Sequence, residues 1–216
     1  MKKLMMIAAM MVAALSANAQ NEVGQITLKP MVGLNLASVT GDVVGNTTKK
    51  LRVGLAAGVE GEYGITDNFG ITAGILYSME GVKVSSKGND DINVTAKLDY
   101  INIPILANIY LAKGFAVKAG IQPAFNASKK FDVDYPTAGL SQAEINYIDK
   151  VIDATVKPLE SNIESFNLSI PIGLSYEYDN FVFDARYHIG VTKLVKDSNE
   201  GRNSTFMFSI GYKFAL

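Results

Sequence analysis

Between Phe166 and Leu194 the chain reads as two long arms joined at Asp179-Asn180. In the first arm Phe166, Leu168, Ile170, Ile172, Leu174, Tyr176 and Tyr178 share one parity; Asn167, Ser169, Pro171, Gly173, Ser175 and Glu177 share the other. The second arm repeats the pattern: Phe181, Phe183, Ala185, Tyr187, Ile189 and Val191 stand against Val182, Asp184, Arg186, His188, Gly190 and Thr192. Side chains alternate faces along a strand, so each arm has one apolar face and one small, polar or charged face. Each arm is about a dozen residues, roughly twice a usual globular strand. Long, alternating strands with aromatic ends are the pattern of membrane-crossing β-structure.

The same pattern recurs along the chain. Strands are expected at about Ile26–Ser38, Leu51–Tyr63, Phe69–Gly81, Val94–Leu111, Phe115–Asn126, the two arms above, and Thr205–Leu216. That makes eight, joined by connections that alternate long and short. Short turns on one side and long loops on the other are the habit of outer-membrane barrels. A soluble sandwich has no reason to sort its loops by side. In hydrocarbon every backbone N–H and C=O must pair internally, which leaves only helices and closed barrels. Away from the amino terminus no run approaches the ~18 apolar residues of a membrane helix. The expected fold is all-β: an eight-stranded antiparallel transmembrane up-and-down β-barrel with one helix-containing extracellular loop.

Tyr63, Phe69, Phe115, Tyr178, Phe181 and Tyr212 fall near the short turns, and Tyr77, Phe125, Phe166 and Phe206 near the long loops. These are two candidate aromatic girdles. Pro30, Pro104, Pro123 and Pro171 lie inside expected strands and each removes a ladder donor, so bulges or kinks are expected there.

At the amino terminus, Lys2 and Lys3 precede an apolar run from Leu4 to Leu15 and an Ala17-Asn18-Ala19 cleavage box. Residues 1–19 therefore read as a cleavable signal peptide, and 20–216 as one barrel domain. The 20 basic and 21 acidic residues give no excess charge to draw nucleic acid, and the absence of cysteine excludes disulfides and thiolate chemistry.

With the strands laid out, the chain resembles the small outer-membrane β-barrel proteins, the porin family of Bacteroidota type related to the OmpX, OmpA-barrel and opacity-protein group. The resemblance rests on Tyr100-Ile101-Asn102-Ile103-Pro104-Ile105-Leu106, on Arg186-Tyr187-His188-Ile189-Gly190-Val191-Thr192, and on Gly211-Tyr212-Lys213-Phe214. It implies a non-enzymatic, Gram-negative outer-membrane protein without a cofactor, surrounded by lipid. It also implies a closing strand read by the barrel-assembly machinery. That signal often ends on an aromatic, whereas this chain ends Phe214-Ala215-Leu216. A monomer is expected.

An eight-stranded barrel is just wide enough for side chains to fill it. The inward parity carries Lys29, Arg52, Glu60, Glu62, Glu80, Lys118, Asp184, Arg186 and Lys213. Glu60, Lys118, Asp184 and Arg186 fall near mid-depth, so an ion-pair network across the lumen is expected among them. Such pairs either plug the barrel, since buried charges must be paired, or line a narrow gated path for ions or small solutes. A lone histidine, His188, builds neither a multi-histidine metal site nor a catalytic triad.

The longest connection is expected at residues 127–165. Ser141-Gln142-Ala143-Glu144 reads as a capping box. Ile145, Ile148, Val151 and Ile152 follow at helical spacing, and Pro158 is expected to close the helix. Such a helix is either a lid on the barrel mouth or a docking surface for an extracellular partner. Acidic residues outnumber the loop's lysines, so a cationic partner suits it. The leading functional reading is a structural or interaction protein acting through its extracellular loops. A narrow pore and a soluble exported lipid-binding barrel are the alternatives.

Overall fold

The computed structural model describes residues 23–41, 47–86, 89–195 and 201–216. The expected signal segment 1–19 and parts of three polar loops lie outside the described residues. The strands are β1 Ile26–Thr40, β2 Thr47–Lys50, β3 Arg52–Thr66, β4 Phe69–Ser86, β5 Asn89–Asn102, β6 Ile105–Ala112, β7 Phe115–Asp134, β8 Phe166–Tyr178, β9 Phe181–Gly190, β10 Arg202–Tyr212 and β11 Phe214–Ala215; the helix is α1, Gln142–Asn162. Short breaks divide three walls of the barrel (β2/β3, β5/β6, β10/β11), so these elements form a ring of eight antiparallel staves. The ring closes where β1 pairs with β10, Met31 opposite Gly211 through Thr40 opposite Arg202.

Parity decides which face meets lipid. Leu34, Phe183, Phe208, Ile172 and Phe125 are each about half exposed on the outer wall, whereas Asn35, Glu60 and Arg186 are at most 2% exposed inside. A soluble lipid-carrying barrel needs the reverse, with apolar residues inside. β9, the shortest complete stave at 10 residues, rises about 26 Å at ~2.6 Å per residue along the membrane normal, enough for an apolar band ~25 Å tall.

Aromatic contacts mark both rims. Near the short turns Phe181 lies edge-on to Tyr212 at 5.1 Å and Tyr212 lies 4.7 Å from Phe214. At the other rim Phe125 meets Phe166 at 5.6 Å and Tyr187 stacks on Phe206 at 4.3 Å. The turn between β8 and β9 places Asp179 and Asn180 at φ 48° and 68°. Two successive left-handed residues make a hairpin turn whose twist matches its strands, and Asx side chains tolerate that region better than most.

Several boundaries differ from the sequence reading. The fourth stave is not one strand from Val94 to Leu111: it breaks at Ile103-Pro104. The ring is held there by Gly74 N–H to the Pro104 carbonyl (3.1 Å) and Ile103 N–H to the Pro123 carbonyl (2.8 Å). Register shifts occur at Gly64/Thr66, Ser85/Ser86, Asp99/Tyr100 and Tyr110/Ala112, none of them at a proline. Pro30 and Pro171 instead face gaps in one ladder, and the register resumes unchanged beyond each gap. A missing donor in a closed ring needs only an unmade rung, not an inserted residue.

Several staves are taller than expected, β4 and β7 among them. β4 has 18 residues and β7 has 20, so β7 would rise about 50 Å and projects well beyond the apolar band. Residues 127–134, expected as loop, are the top of β7. α1 also runs past Pro158 to Asn162 and does not stop at the proline. Its end is set instead by Ile163, which leaves the helix in extended conformation and bridges to Val195.

Candidate functional site: a sealed polar lumen

The lumen is organised around Arg186 on β9. Its guanidinium donates through Nη2 to Glu60 Oε2 at 2.8 Å, and Nη1 pairs with Glu60 Oε1, forming a two-pronged contact with β3. On the other side Nε and Nη2 donate to the two oxygens of Asp184 at 2.7 Å each. Lys118 of β7 reaches Asp184 at 2.8 Å; Lys29 of β1 reaches Glu60 at 2.8 Å and Asp184 at 3.6 Å. Glu60, Lys118, Asp184 and Arg186 thus form one contiguous cluster, with Lys29 as a fifth member. All are buried.

Toward the short turns a second cluster completes the charge balance. Lys213 lies 3.1 Å from Glu177 and 3.7 Å from Glu62. Tyr110 donates to Glu62 at 2.6 Å and accepts from Lys213 at 3.2 Å. The two clusters together hold Lys29, Lys118, Arg186 and Lys213 against Glu60, Glu62, Glu177 and Asp184, so they are neutral as a set. Neutrality matters because an unpaired charge in a dry interior costs several kcal/mol.

Glycines make room for these stems. A Cβ built at Gly173 would lie 2.8 Å from Arg186 Cγ, one at Gly74 2.7 Å from Glu60 Cγ, and one at Gly211 2.8 Å from Lys29 Cγ. Glycine at these three positions therefore admits both the neighbouring backbone and a charged stem.

Above the charges lies an apolar layer of Met31, Ala56, Leu76 and Met207. Then comes a polar layer. Buried Glu80 accepts from Ser78 at 2.9 Å, Asn102 at 3.2 Å and Thr205 at 3.2 Å, and Asn35 donates to Ser78 at 2.8 Å. A second apolar layer closes the outer mouth: Val39, Leu98, Tyr100 and Ala124 from the wall, with Ile163 and Leu194 from the external connections. Lys129 donates to the Ile163 carbonyl at 2.6 Å, and Glu164 N–H donates to the Leu194 carbonyl at 2.8 Å. These two residues were not singled out from the sequence. A long-range bridge selects them, and no local pattern announces it.

At the short-turn end a cavity of only about 10 Å³ is bordered by residues including Lys29, Glu60, Glu62, Tyr110, Glu177 and Lys213. That is room for about one water. His188 is buried and faces Pro171 and Thr205 across its two ladders. No group of three or more His, Cys, Asp or Glu suited to a metal occurs among the described residues.

α1 stands outside the barrel. Its capping box is formed: Glu144 N–H reaches Ser141 Oγ, and Ser141 N–H donates to Glu144 Oε2 at 2.8 Å. Donation from the Ser141 hydroxyl, at 2.7 Å, and from its N–H holds the Glu144 carboxyl below its ordinary value. Ile145, Ile148 and Ile152 are half-buried and Val151 is exposed, as is Tyr147 at 71%. The helix leans on β7, and Tyr135 just beyond that strand donates to Asp149 at 2.8 Å. The mouth is sealed by Ile163 and Leu194 rather than by the apolar residues of the helix.

Residues 18–196 match the family described as "Outer membrane protein beta-barrel domain". The chain belongs to this family. It is an outer-membrane β-barrel protein, and its short turns and long loops follow the periplasmic and extracellular sorting of such barrels. Solved structures similar to this family member include Ail, the attachment invasion locus protein of Yersinia pestis, at 14% identity over 89% of this chain and 100% of Ail, TM-score 0.47. Neisserial surface protein A is 12% identical over 87% of this chain and 97% of its own, TM-score 0.48. OprG of Pseudomonas aeruginosa is 13% identical over 90% and 97%, TM-score 0.39. No curated protein matches the chain in sequence.

Proposed function

We propose that this outer-membrane barrel is a non-enzymatic protein with a closed lumen, acting through the segments it holds outside the membrane. The observation that supports this best is the filling of the lumen. The charged side chains of Glu60, Lys118, Asp184 and Arg186 satisfy one another, and two apolar layers lie above them. A barrel filled in this way offers its outer surface, not its interior. The surface it offers is large: the tops of β4, β5 and β7, and α1 with Tyr147 and Val151 exposed. Glu144, Asp149, Asp153 and Glu160 give α1 an acidic character, which suits a cationic extracellular partner.

Residues 1–19 are proposed to direct export, and the closing segment through Phe214 to engage the barrel-assembly machinery. The mature chain is proposed to work as a monomer in the lipid.

A second reading, a narrow pore for ions or small solutes, draws on the small cavity among Lys29, Glu62, Glu177 and Lys213 at the periplasmic end. Non-covalent plugs can part. Planar-bilayer recording of the purified protein tests the choice. Silence is expected from the wild type across a range of voltages. Steady openings whose size changes in Arg186→Ala would transfer the function to the pore reading.

A further inference from the structure

We propose that a cationic patch on the outer wall, formed by Lys83, Lys97 and Lys130, seats a phosphate of an outer-leaflet lipid headgroup. Gly81 of β4 lies opposite Lys97 of β5, which in turn lies opposite Lys130 of β7. Lys83, two residues above Gly81, lies opposite Thr95 and so diagonal to Lys97. Period-two alternation puts Lys83, Lys97 and Lys130 on the outward face, since Leu98 and Ala96 between them are buried inside. Gly81 has φ +127°, a backbone state that favours glycine, and is itself buried. A Cβ at that position would lie 2.0 Å from the Ala96 carbonyl, so glycine lets the β4 and β5 backbones approach closely beside the lysines.

Like charges directly opposite one another on neighbouring strands are unfavourable, yet Lys97 and Lys130 are so placed. Two acids lie on the same face. Asp132 pairs with Lys97, and Asp99 is 3.5 Å from Arg52 and accepts from Tyr77 at 2.8 Å. Lys83 and Lys130 have no hydrogen-bond or ion-pair partner among the described residues. The cluster therefore keeps a net positive charge that an anion would satisfy.

Height identifies the anion. Tyr77 pairs with Ile101, and Ile101 with Phe125, at the upper aromatic belt. Lys97 is four residues above Ile101, about 10 Å at ~2.6 Å per residue. Lysine stems can bend by several ångströms, so the ammonium groups reach the polar layer just outside the hydrocarbon. Asp134, the next acid on this face of β7, stands higher than the lysines. Basic residues at headgroup level with acids above them fit a bound lipid phosphate better than a soluble anion arriving from outside.

The test uses the full mature protein in non-ionic detergent, with native mass spectrometry counting bound lipid. The probes are a diphosphorylated glucosamine glycolipid (lipid A), its dephosphorylated counterpart, and inorganic phosphate as competitor. The wild type is expected to bind the phosphorylated lipid at least tenfold more tightly than the dephosphorylated one. Lys83→Gln/Lys97→Gln/Lys130→Gln should lose that preference, and Lys130→Gln alone should weaken it several-fold. Lys150→Gln/Lys157→Gln on α1 should leave it unchanged. Lys130 is exposed and unpaired, so the single variant is decisive even if the triple variant folds poorly. Equal binding of the two lipids, or an undiminished preference in the lysine variants, would overturn the proposal. Full displacement by millimolar inorganic phosphate would also overturn it, in favour of a free-anion site.

Discussion

Arg186 and Glu60 lie 126 residues apart in sequence and meet in a two-pronged ion pair across the lumen, Nη2 to Oε2 at 2.8 Å. The pair ties β9 to β3, which are not neighbours in the ring. Removing one partner leaves the buried charges unbalanced. Arg186→Met should therefore destabilise the barrel by about 3–5 kcal/mol, and Arg186→Met combined with Glu60→Met should recover much of that loss. Urea unfolding in lipid vesicles checks both. Additive losses would mean that the pair is not coupled.

Gly173 on the lumen face and Gly61 on the outward parity of β3, opposite Leu28, differ in the room they leave. A methyl at Gly173 meets the Ala185 carbonyl at 2.5 Å and Arg186 Cγ at 2.8 Å, whereas one at Gly61 meets nothing closer than 3.8 Å. Gly173→Ala should cost about 1–3 kcal/mol through crowding of the β9 backbone and the arginine stem. Gly61→Ala should be tolerated. The same unfolding assay reads both, and an equal effect of the two would break the link between glycine and charge.

The seal at Ile163 and Leu194 separates the barrel from α1. Excising residues 140–159 should leave the heat-modifiable gel shift of the folded barrel intact, because the mouth is closed by Ile163 itself. Ile163→Asp in the full chain should instead cost about 3 kcal/mol or more by burying an unpaired carboxylate. It should also speed amide exchange around Leu98 and Tyr100. A deletion that prevents folding would make the helix part of the barrel's structure.

The amino end of α1 should respond to acid. Hydrogen bonds from Ser141 lower the Glu144 carboxyl below the usual value near 4.5. A lowered folded value means that the stabilisation is present above the unfolded value and is lost as pH falls through the lowered one. Amide exchange at Glu144 and Ile145 should therefore rise only in acid below the ordinary carboxylate range. Ser141→Ala should show the faster exchange already at neutral pH. A neutral-pH rate unchanged in Ser141→Ala would remove the capping box from the account.

The Asp179-Asn180 turn should prefer glycine. Both residues are left-handed, at φ 48° and 68°. Asn180→Gly should be neutral or stabilising, and Asn180→Val should cost about 1–2 kcal/mol. Refolding yield and unfolding midpoint together check this, and a silent valine would mean that the turn relaxes to another type.

What the sequence determined by itself is the wall. Alternation at period two is local, so it marks which face of each stave meets lipid, from Leu34 on β1 to Phe208 on β10. Loop sorting is equally local, and with an even strand count it requires closure. The charged residues of the lumen were legible for the same reason: Glu60, Lys118, Asp184 and Arg186 stand on the inward parity. Which carboxylate meets which cation was not legible, because the register between staves and the shear around the ring decide it. Only the tertiary structure brings Lys29 to Glu60, and Lys213 to Tyr110 and Glu177. It alone draws Ile163 and Leu194 into the mouth, carries α1 through Pro158, and lines up Lys97 with Lys130. Those pairings depend on contacts between residues far apart in the chain, and one-dimensional periodicity holds no record of them.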